Sequence, residues 1–469
     1  MPRHTVISGG LVVTESDQMP ADLVIEDGRI AALLSDASDV QADERIEADG
    51  LLVLPGGIDA HTHFREPDTE SHEGFTSGGR AAAAGGITTV VEMPQAGPTT
   101  TTAEHLAAKR ASVARTAIVD MALWAGVAGS ANGTTNANGS VTGEIAALVD
   151  GGAVGFKSFM ASSSPSFPEV TEADLLAAMI AIAQLSLPYA LHAEHEPLLQ
   201  AGLAAMRAAK RTDPAAHAES RPPLVEAAAV NAALFLAEQT GCWVHFCHVA
   251  SAEALHLITE ARGRDVRVTA ETCPQYLALN TDDLDRLKGF GRCAPALRDQ
   301  TEVDAIWSYV LNETVDLICS DHCAFTREEK EAGEADIFAA PLGLSGVQTL
   351  LPIFFDEAVN KRGMDRSQFV RQMSTNPAQI FGLYPRKGSI RIGGDADLVI
   401  FDPEATWTVR DEDMLHRQKW TPFAGRRVTG RVLGTMRRGE LIYDNARHTE
   451  ELAAPGSGWL LTRSYGADE

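Results

Sequence analysis

The sequence predicts an α/β protein, a TIM-like (β/α)8 barrel with a small β-sandwich domain built from the N- and C-terminal segments. The first observation is length, because 469 residues exceed the usual size of one domain and indicate two structural units. The second is an alternation of apolar, strand-like runs with Ala-rich helical stretches through the middle of the chain. The third is the texture of both ends, where short alternating segments are separated by turn residues.

Eight apolar runs with the length of strands supply the barrel. Each is followed by a helix-like stretch, which is the repeat that builds a parallel sheet. Eight strands within about 270 residues match a closed barrel, which typically takes ~250 residues. The runs are Leu51–Ile58, Ile87–Met93, Val119–Gly126, Ala153–Met160, Tyr189–His192, Trp243–Val249, Val266–Cys273 and Val315–Asp321.

Both ends of the chain are typical of short antiparallel strands. Gly-Gly and Asp-Gly turns separate the early strands, and Arg438-Gly439 marks a hairpin turn among the late ones. We therefore expect the two ends to pair into one β-sandwich. The predicted strands are Thr5–Ser8, Leu11–Thr14, Asp22–Ile25, Arg29–Leu33, Asp397–Phe401 and those within Val428–Tyr443. The predicted division is 1–54 and 388–445 for the sandwich, 55–387 for the barrel, and 446–469 for a tail that is either a loose extension or a packing arm.

Composition and charge limit the partners and the compartment. A formal net charge of −25 argues against a nucleic-acid partner, because such proteins present Lys and Arg to phosphates. No stretch approaches the ~20 apolar residues of a membrane span, so we expect no membrane partner. Met1–Val13 lacks the layout of a signal peptide and the six cysteines form no CxxC pair, so we expect a mature, soluble, cytoplasmic protein with reduced thiols.

Side chains that bind metals or transfer protons stand at the ends of the predicted strands. In a barrel the C-terminal strand ends converge on one rim, so residues far apart in sequence share one pocket. We therefore expect one site made of His61 and His63 after the first run, Lys157 in the fourth, His192 ending the fifth, His248 ending the sixth and Asp321 ending the eighth.

His61 and His63 are separated by a single residue. In extended backbone both imidazoles project to the same side and can bind one cation. Two surface or hydrogen-bonded histidines are the alternative, but the flanking Leu-Pro-Gly-Gly-Ile-Asp and Phe-Arg-Glu-Pro favour a metal site. Among the other histidines, His195 and His245 rank lower because they do not stand at strand ends.

Lys157 lies within the apolar stretch Ala-Val-Gly-Phe-Lys-Ser-Phe-Met, where a buried ammonium is costly. One explanation is a lysine that reaches water or pairs with a carboxylate. The other is chemical, because a desolvated amine reacts with CO2 and the resulting carbamate can bridge two cations. His192 and His248 are then ligands of a second metal or satisfied core histidines, and Asp321 is a general base or a capping or ion-paired carboxylate.

Over nearly its whole length the chain resembles the cyclic amidohydrolase branch of the amidohydrolase superfamily. That branch includes allantoinases, hydantoinases, dihydropyrimidinases and dihydroorotases. The stretches that carry the resemblance are Pro-Gly-Gly-Ile-Asp-Ala-His-Thr-His, Ala-Gly-Gly-Ile-Thr-Thr-Val-Val-Glu-Met-Pro, Gly-Phe-Lys-Ser-Phe-Met, His-Ala-Glu, Cys-His-Val-Ala-Ser, Glu-Thr-Cys-Pro-Gln-Tyr, Ser-Asp-His, Gly-Asp-Ala-Asp-Leu-Val and Trp-Thr-Pro-Phe-Ala-Gly.

The resemblance implies hydrolysis of a C–N bond in a small cyclic amide or ureide by a hydroxide that bridges two metals, with Asp321 as general base and then acid. The texture after the barrel, including Ile-Phe-Gly-Leu-Tyr-Pro, looks most like allantoinase, so conversion of allantoin to allantoate is expected first. Related enzymes are commonly tetramers, so a homotetramer or homodimer is expected. The implied ligands are His61, His63 and Asp321 for one Zn2+, His192 and His248 for the other, and N6-carboxylated Lys157 as the bridge, with other divalent metals possible.

Three further positions bear on which ring is opened. Arg65 is a trait of dihydroorotases, where it grips the substrate carboxylate, and its alternative is a salt bridge to the adjacent Glu66 or to another carboxylate on the rim. Gln95 stands where dihydroorotases usually carry asparagine, and Ser162 stands where dihydropyrimidinases carry tyrosine. A hydantoinase, a dihydropyrimidinase and a dihydroorotase therefore stay open as alternatives.

By analogy with the same enzymes, the polar edge of the ring would meet backbone groups near Ala294 and Leu342. A non-catalytic scaffold is the alternative of another class, because dihydropyrimidinase-like folds include the collapsin response mediator proteins, which have lost metal ligands. This chain retains a metal-binding residue at every ligand position, which favours the enzyme.

Overall fold

The structure is a computed structural model that describes residues 4–67, 72–129, 142–447 and 452–463. Seven strands precede the barrel, and they confirm the predicted N-terminal strands. The tight turn between two of them falls at Asp27 and Gly28, which both adopt positive φ as the Asp-Gly pair predicts. The strands are β1 (His4–Ser8), β2 (Leu11–Val13), β3 (Gln18–Pro20), β4 (Asp22–Glu26), β5 (Arg29–Leu34), β6 (Glu44–Glu47) and β7 (Leu52–Pro55).

The next eight strands form one parallel sheet in sequence order, which confirms the predicted barrel. The first and last of them approach each other where the backbone N–H of His63 donates to the carbonyl of His322 at 2.8 Å. The barrel strands are β8 (Gly57–Thr62), β9 (Ile87–Glu92), β10 (Asp120–Gly126), β11 (Gly155–Phe159), β12 (Tyr189–His192), β13 (Val244–Phe246), β14 (Val268–Thr272) and β15 (Leu317–Ile318).

The prediction of one strand over Leu51–Ile58 is wrong. Two strands occupy this region, because the chain leaves the β-sandwich at Pro55 and enters the barrel at Gly57. The sixth and eighth barrel strands are also shorter than predicted, so His248 lies two residues beyond β13 and Asp321 three residues beyond β15. The apolar runs continue into loops that are themselves buried, and apolarity alone does not mark where pairing stops.

The last three strands complete the small domain. A six-stranded sheet has the order β18-β17-β16-β7-β2-β3, and a four-stranded sheet has the order β5-β4-β1-β6. The pairing of β16 with β7 confirms that the two ends of the chain build one unit. The expectation of purely antiparallel pairing is wrong, since β1 pairs with β6 and β2 with β7 in parallel. These strands are β16 (Leu398–Thr408), β17 (Arg427–Arg437) and β18 (Glu440–Asp444).

Helices connect the barrel strands, and their ends follow the local sequence. Pro197 lies in the first turn of its helix, and Gly241 ends another helix in the left-handed conformation with φ of 70°, as both residue types favour. The α-helices are α1 (Phe75–Ala84), α2 (Ala103–Thr116), α3 (Ile145–Asp150), α4 (Glu172–Ala183), α5 (Glu196–Ala208), α6 (Pro214–Ser220), α7 (Pro223–Thr240), α8 (Ala252–Arg262), α9 (Pro274–Ala278), α10 (Leu284–Leu287), α11 (Gln300–Leu311), α12 (Arg327–Glu331), α13 (Leu350–Phe355), α14 (Arg366–Val370) and α15 (Asn376–Ile380), with π-helical turns at Asp356–Asn360 and Arg371–Thr375.

A buried charge cluster joins the small domain to the end of the barrel at which the strands begin. The ammonium of Lys387 lies 2.7 Å from Asp120, at the start of β10, and 2.7 Å from Asp397, just before β16. Buried ions need partners of opposite charge, so this cluster fixes how the two units dock. We propose that residues 1–54 and 388–445 form the β-sandwich domain, 55–387 the barrel and 446–469 the tail.

The C-terminal tail packs along the barrel in its described part. The N–H of Met121 in β10 donates to the carbonyl of Trp459 at 2.8 Å, and the N–H of Leu461 donates back to Met121 at 2.7 Å. Residues 452–463 therefore act as the packing arm that the sequence left as one of two options, whereas 448–451 and 464–469 lie outside the described residues. No helix within the described ranges has the length and apolarity needed to cross a bilayer.

Candidate active site

The C-terminal ends of the barrel strands surround a cavity of about 500 Å³. Ten of the eleven residues singled out in the sequence line it, and Lys157 is fully buried within β11. Residues that are up to 281 positions apart in sequence are therefore brought to one rim, as the barrel fold predicts. The ten are His61, His63, Arg65, Gln95, Ser162, His192, His248, Ala294, Asp321 and Leu342.

His61, His63 and Asp321 converge at the floor of the cavity. The Nε2 atoms of the two histidines lie 3.2 Å apart, and Asp321 Oδ1 lies 3.3 Å from His61 Nε2 and 3.4 Å from His63 Nε2. His61 stands near the end of β8 and His63 just beyond it, so the pleat directs both rings to the same side. Asp321 is held beside them by the loop that follows β15.

These three side chains require a positive charge between them. The Nδ1 of His61 contacts Glu271 Oε1 at 2.5 Å, so a neutral ring presents the lone pair of Nε2 to the carboxylate of Asp321. Burial opposes protonation of His61, yet Glu271 and Asp321 outweigh it and raise the pKa of His61 to about 10. A divalent cation bound by the two imidazoles and the carboxylate satisfies the same demand, and this nitrogen and oxygen donor set suits zinc.

His192 and His248 form a second pair of nitrogen donors. His192 Nε2 lies 2.8 Å from the Glu194 carboxylate, which places the ring proton on that side and leaves the Nδ1 lone pair directed at His248 Nε2, 3.1 Å away. Both rings are buried and line the same cavity, and the ring of His248 lies 5.2 Å from that of His61. The two groups of donors therefore lie next to each other, as a site for two cations requires.

Lys157 lies in the centre of β11, and its side chain is fully buried. Its Nζ contacts Cys247 Sγ at 2.7 Å and lies 5.1 Å from the centroid of the Phe159 ring. Within the described ranges no carboxylate pairs with it. The explanation of a lysine that reaches water or pairs with a carboxylate is therefore wrong, and the residue provides a buried amine in the centre of β11.

Two buried carboxylates that orient the histidines were missed in the sequence. Glu271 accepts hydrogen bonds from His61 and His245. Glu194 accepts them from His192 and from the Nε and Nη2 atoms of Arg221. Both belong to stretches quoted above for the resemblance, Glu-Thr-Cys-Pro-Gln-Tyr and His-Ala-Glu, so the signal was present. Carboxylates of this kind fix the tautomer and orientation of metal-binding imidazoles.

The backbone is strained at three of the predicted site residues. Arg65, His248 and Asp321 adopt positive φ of 64°, 36° and 49°, although none is glycine. Such conformations cost about 1–3 kcal/mol each and persist where neighbouring groups hold them. At Arg65 the buried Glu92 does so, because it accepts from the N–H groups of Phe64 and Arg65 at 3.0 Å.

Arg65 projects along the cavity wall. Its guanidinium donates to Cys323 Sγ at 2.9 Å and lies 4.3 Å from the centroid of the Phe325 ring. The predicted alternative of a salt bridge to Glu66 is wrong, since Glu66 accepts from Phe75 N–H and Thr116 Oγ1 instead. Arg65 thus brings a charge to the cavity with no carboxylate paired to it in the part of the chain that the structure describes.

The remaining walls are polar. Gln95 Nε2 donates to Ser163 Oγ, and the N–H of Ser162 donates to Glu196 at 2.8 Å. Ala294 and Leu342 also line the cavity, and among the described residues neither their N–H nor their C=O has a hydrogen-bond partner. Unpaired backbone groups at a cavity wall are available to a ligand.

Another group of potential ligands lies behind the rim and has a simpler explanation. Glu73, His322 and His416 are buried together, with Glu73 Oε2 3.5 Å from His322 Nε2 and 3.8 Å from His416 Nδ1. The Nδ1 of His322 faces the N–H groups of Gly346 and Val347, so its ring proton lies on Nε2 and points at Glu73. His322 therefore has no free lone pair to offer a metal.

The sequence of residues 52–442 matches the family model described as the amidohydrolase family. The chain belongs to the amidohydrolase family. Its metal-competent histidines and carboxylates thus occupy a barrel rim in a family that typically depends on metals.

Individual relatives of this amidohydrolase match it over nearly their whole length. It is 39% identical to an allantoinase from Rubrobacter xylanophilus over 94% of each chain, and 34% identical to an L-hydantoinase from Paenarthrobacter aurescens over 98% of each chain. Among solved structures, the L-hydantoinase (dihydropyrimidinase) of Arthrobacter aurescens superposes with a TM-score of 0.93 at 34% identity, covering 99% of this chain and 100% of that one.

Replacing Glu271 by glutamine should weaken metal binding to this amidohydrolase about 10- to 100-fold. The amide keeps one acceptor oxygen, but its NH2 group meets the donors of His61, His245 or the His248 backbone, so the His61 ring loses its fixed orientation. Competition with a fluorescent zinc chelator, with metal per chain counted by mass spectrometry, measures the change.

Glu357→Gln is the matched control, because Glu357 is also a buried carboxylate, but pairs with Lys361 and Arg362 away from the cavity. It should leave the metal affinity unchanged. Equal affinity in both variants would show that Glu271 does not orient a ligand.

Proposed function

We propose that this amidohydrolase opens a small cyclic amide or ureide by hydrolysing a ring C–N bond with the help of two divalent cations, zinc in the first place. The observation that carries the proposal is the convergence of His61, His63 and Asp321 at the floor of the cavity, with the donors of His192 and His248 beside them. Relatives of nearly equal length are named allantoinase and hydantoinase, which supports a cyclic amide as the substrate class.

Cations held by these residues would supply a nucleophile at neutral pH by lowering the pKa of water and would polarise the ring carbonyl. Asp321 then takes up the proton of the attacking water and returns it to the ring nitrogen that leaves. Although burial favours its neutral form, the imidazoles of His61 and His63 hold the pKa of Asp321 below its usual range. It is therefore ionised and able to accept that proton at neutral pH.

We further propose that the amine of Lys157 takes up CO2. The nitrogen bonds to carbon and loses a proton, which leaves an anionic carbamate with two oxygens. Such a group suits Lys157 because it replaces a buried ammonium with a ligand that two cations neutralise. The position in β11, beside Cys247 and close to the ligand histidines, supports this role.

Backbone groups and polar side chains of the cavity would both contact the substrate ring. We assign its amide edge to the unpaired backbone groups of Ala294 and Leu342, because a ureide alternates N–H and C=O and can pair with a peptide group on both. Gln95 and Ser162 line the same cavity and would contact the substituents of the ring. Allantoin, which carries a ureido substituent, fits this polar cavity and leads the candidates.

A specific observation favours a second candidate. Arg65 brings to the cavity a guanidinium that no carboxylate of the described residues pairs with, and a planar bidentate donor prefers a carboxylate. Dihydroorotate and hydantoins with a carboxylated side chain supply one, whereas allantoin does not. A ring that carries a carboxylate is therefore the alternative substrate.

A turnover screen of the zinc-loaded protein against allantoin, hydantoins, dihydrouracil and dihydroorotate tests the proposal. Opening of at least one ring is expected, with allantoin fastest, and the same protein stripped of metal is the blank. Absence of turnover on all four with two metals bound would contradict the proposed reaction. A purified chain that binds no zinc after supplementation would instead favour the non-catalytic scaffold.

Arg65→Met decides between the two substrate classes. If Arg65 binds a substrate carboxylate, kcat/KM for carboxylated rings should fall by about 10²- to 10³-fold, since a charged hydrogen bond is lost, whereas allantoin opening should change little. Steady-state kinetics on both rings measure the ratio. Equal losses on both would assign Arg65 to the structure of the wall, where it contacts Cys323 and Phe325.

We also propose that the chain works as a homo-oligomer, a tetramer or dimer, in the cytoplasm. Ile180 of α4 and Leu224 and Phe235 of α7 are between 56% and 65% exposed, and exposed apolar side chains on adjacent helices are typical of subunit contacts. All six cysteines are buried and unpaired, which suits a reducing compartment.

A further inference from the structure

Lys330 is a fully buried lysine that the proposed reaction does not use. It belongs to α12, and its ammonium donates to three backbone carbonyls, those of Arg292 at 3.1 Å, Pro341 at 2.9 Å and Gly343 at 2.9 Å. A lysine has three N–H donors, so the three carbonyls use all of them. The side chain is therefore committed to these two stretches of backbone.

No carboxylate lies within ion-pair distance of Lys330 among the described residues. Burial without such a partner lowers the pKa of Lys330 to about 7, with the positive charge of Arg292 adding to the effect. The facing groups are Cys293, Cys323, Arg292 and Glu329, and none of them neutralises the ammonium. A buried cation is costly, and the hydrogen bonds to the three carbonyls offset part of that cost.

The two stretches that Lys330 joins are the backbone walls of the cavity. Leu342 lies between Pro341 and Gly343, so the ammonium binds the carbonyl of the residue on each side of it. On the other stretch, Arg292 stands two residues before Ala294, and its carbonyl also accepts from the N–H of Gly343 at 3.1 Å. Lys330 therefore forms hydrogen bonds to both stretches of backbone.

The backbone on both sides of these hydrogen bonds is closely packed. A Cβ at Gly289 would lie 1.9 Å from the carbonyl oxygen of Lys330, so α12 packs directly on backbone. Gly343 has φ of 149°, and a Cβ there would lie 2.8 Å from Cys323, so the backbone at Gly343 is closely packed as well. A tether that is closely packed at both ends transmits its position to the groups it holds.

We propose that Lys330 is a positioning residue that fixes the distance between the backbone groups of Ala294 and Leu342 and so sets the affinity for the substrate ring. The inference rests on the proposed function, because it takes those backbone groups as the contacts of the ring. It assigns to Lys330 an effect on binding and none on the bond-breaking step, which belongs to groups on the cavity floor.

Lys330→Met keeps an unbranched side chain that is one heavy atom shorter and removes all three donors. Amide hydrogen exchange in the segments around 292–294 and 341–343 should become at least about tenfold faster, since the hydrogen bonds that restrain them are gone. Gln372→Met is the matched control: Gln372 is equally buried and its Nε2 donates to the carbonyls of Val310 and Val315, away from the cavity. It should leave exchange in both segments unchanged.

The kinetic test uses the best ring of the turnover screen. KM for Lys330→Met should rise about 10- to 100-fold while kcat stays within about threefold, because ground-state contacts weaken and the reacting groups remain in place. Lys330→Gln, which retains two donors, should fall between wild type and Lys330→Met and serves if the methionine variant fails to fold. A matching fall in kcat with an unchanged KM would overturn the proposal.

Failure of this inference differs from failure of the proposed function. If the wild-type protein opens no ring, the proposed reaction fails, yet hydrogen exchange still decides whether Lys330 fixes the two walls. Unchanged exchange in both segments of Lys330→Met and Lys330→Gln overturns the inference even in an active enzyme.

Discussion

Replacing Asp321 by asparagine should lower kcat of the zinc-loaded enzyme by about 10³-fold, since a positioned general base contributes about 10²- to 10⁴-fold. Asparagine keeps the size of the side chain but cannot accept the proton of the attacking water. Its neutral amide also gives up the charge that His61 and His63 face at 3.3 and 3.4 Å. Single-turnover kinetics on the best ring of the screen isolate the bond-breaking step.

Metal loss must be separated from loss of the base, because Asp321 serves in both roles in the proposed site. Metal per chain is therefore counted in the variant after loading at high zinc concentration. Asp316→Asn is the matched control, since Asp316 also adjoins β15 but binds Arg262 and the N–H of Ala270 outside the cavity. That variant should lose stability and keep kcat; an Asp321→Asn protein with two metals and near-normal kcat would refute the assignment of the base.

Replacing Lys157 by alanine should abolish turnover, with a loss of at least about 10³-fold if a positioned ligand bridge is needed for catalysis. The variant removes the only candidate for the bridging anion among the described residues of β11 and leaves a cavity beside Cys247 and Phe159. Short carboxylic acids such as acetate or propionate should fill that space and restore part of the activity. Turnover as a function of added carboxylate measures the rescue.

Lys157→Arg supplies the control for this rescue. Arginine keeps a positive charge and fills the space, but its guanidinium does not form a carbamate. It should therefore be inactive, and added carboxylate should not restore it. Wild-type activity in Lys157→Arg, or unaltered turnover in Lys157→Ala, would show that no carbamate is needed.

The barrel was predictable because its signals are local. Each strand is a continuous apolar run bounded by helical sequence, since strands buried on both faces need no alternation. The boundary at Pro55 was not predictable in this way. Leu52–Pro55 and the start of Gly57–Thr62 form one continuous apolar run, and only pairing of the first with β16 and the second with β9 separates them. The parallel pairs of the small domain were missed for the same reason, because partner choice is not local.

The candidate site followed from strand ends and from the resemblance. His61, His63, His192, His248 and Asp321 were placed on one rim by topology alone, and the structure brings them together there. Glu271 and Glu194 were missed although they lie in stretches that carry the resemblance, because the role of a carboxylate is evident only when its partner is known. Lys330 gave no sequence signal either, standing among charged residues in Arg-Glu-Glu-Lys-Glu.

The sequence by itself determined the barrel, the docking of the two chain ends and the identity of the metal-competent side chains, because periodicity and residue chemistry are properties of the chain. Only the tertiary structure decided which lone pairs face each other, that Arg65 has no salt bridge to Glu66, and that Lys330 joins the two backbone walls. The physical reason is that these depend on distances of a few ångströms between residues far apart in sequence. Such distances are set by packing, which no local pattern encodes.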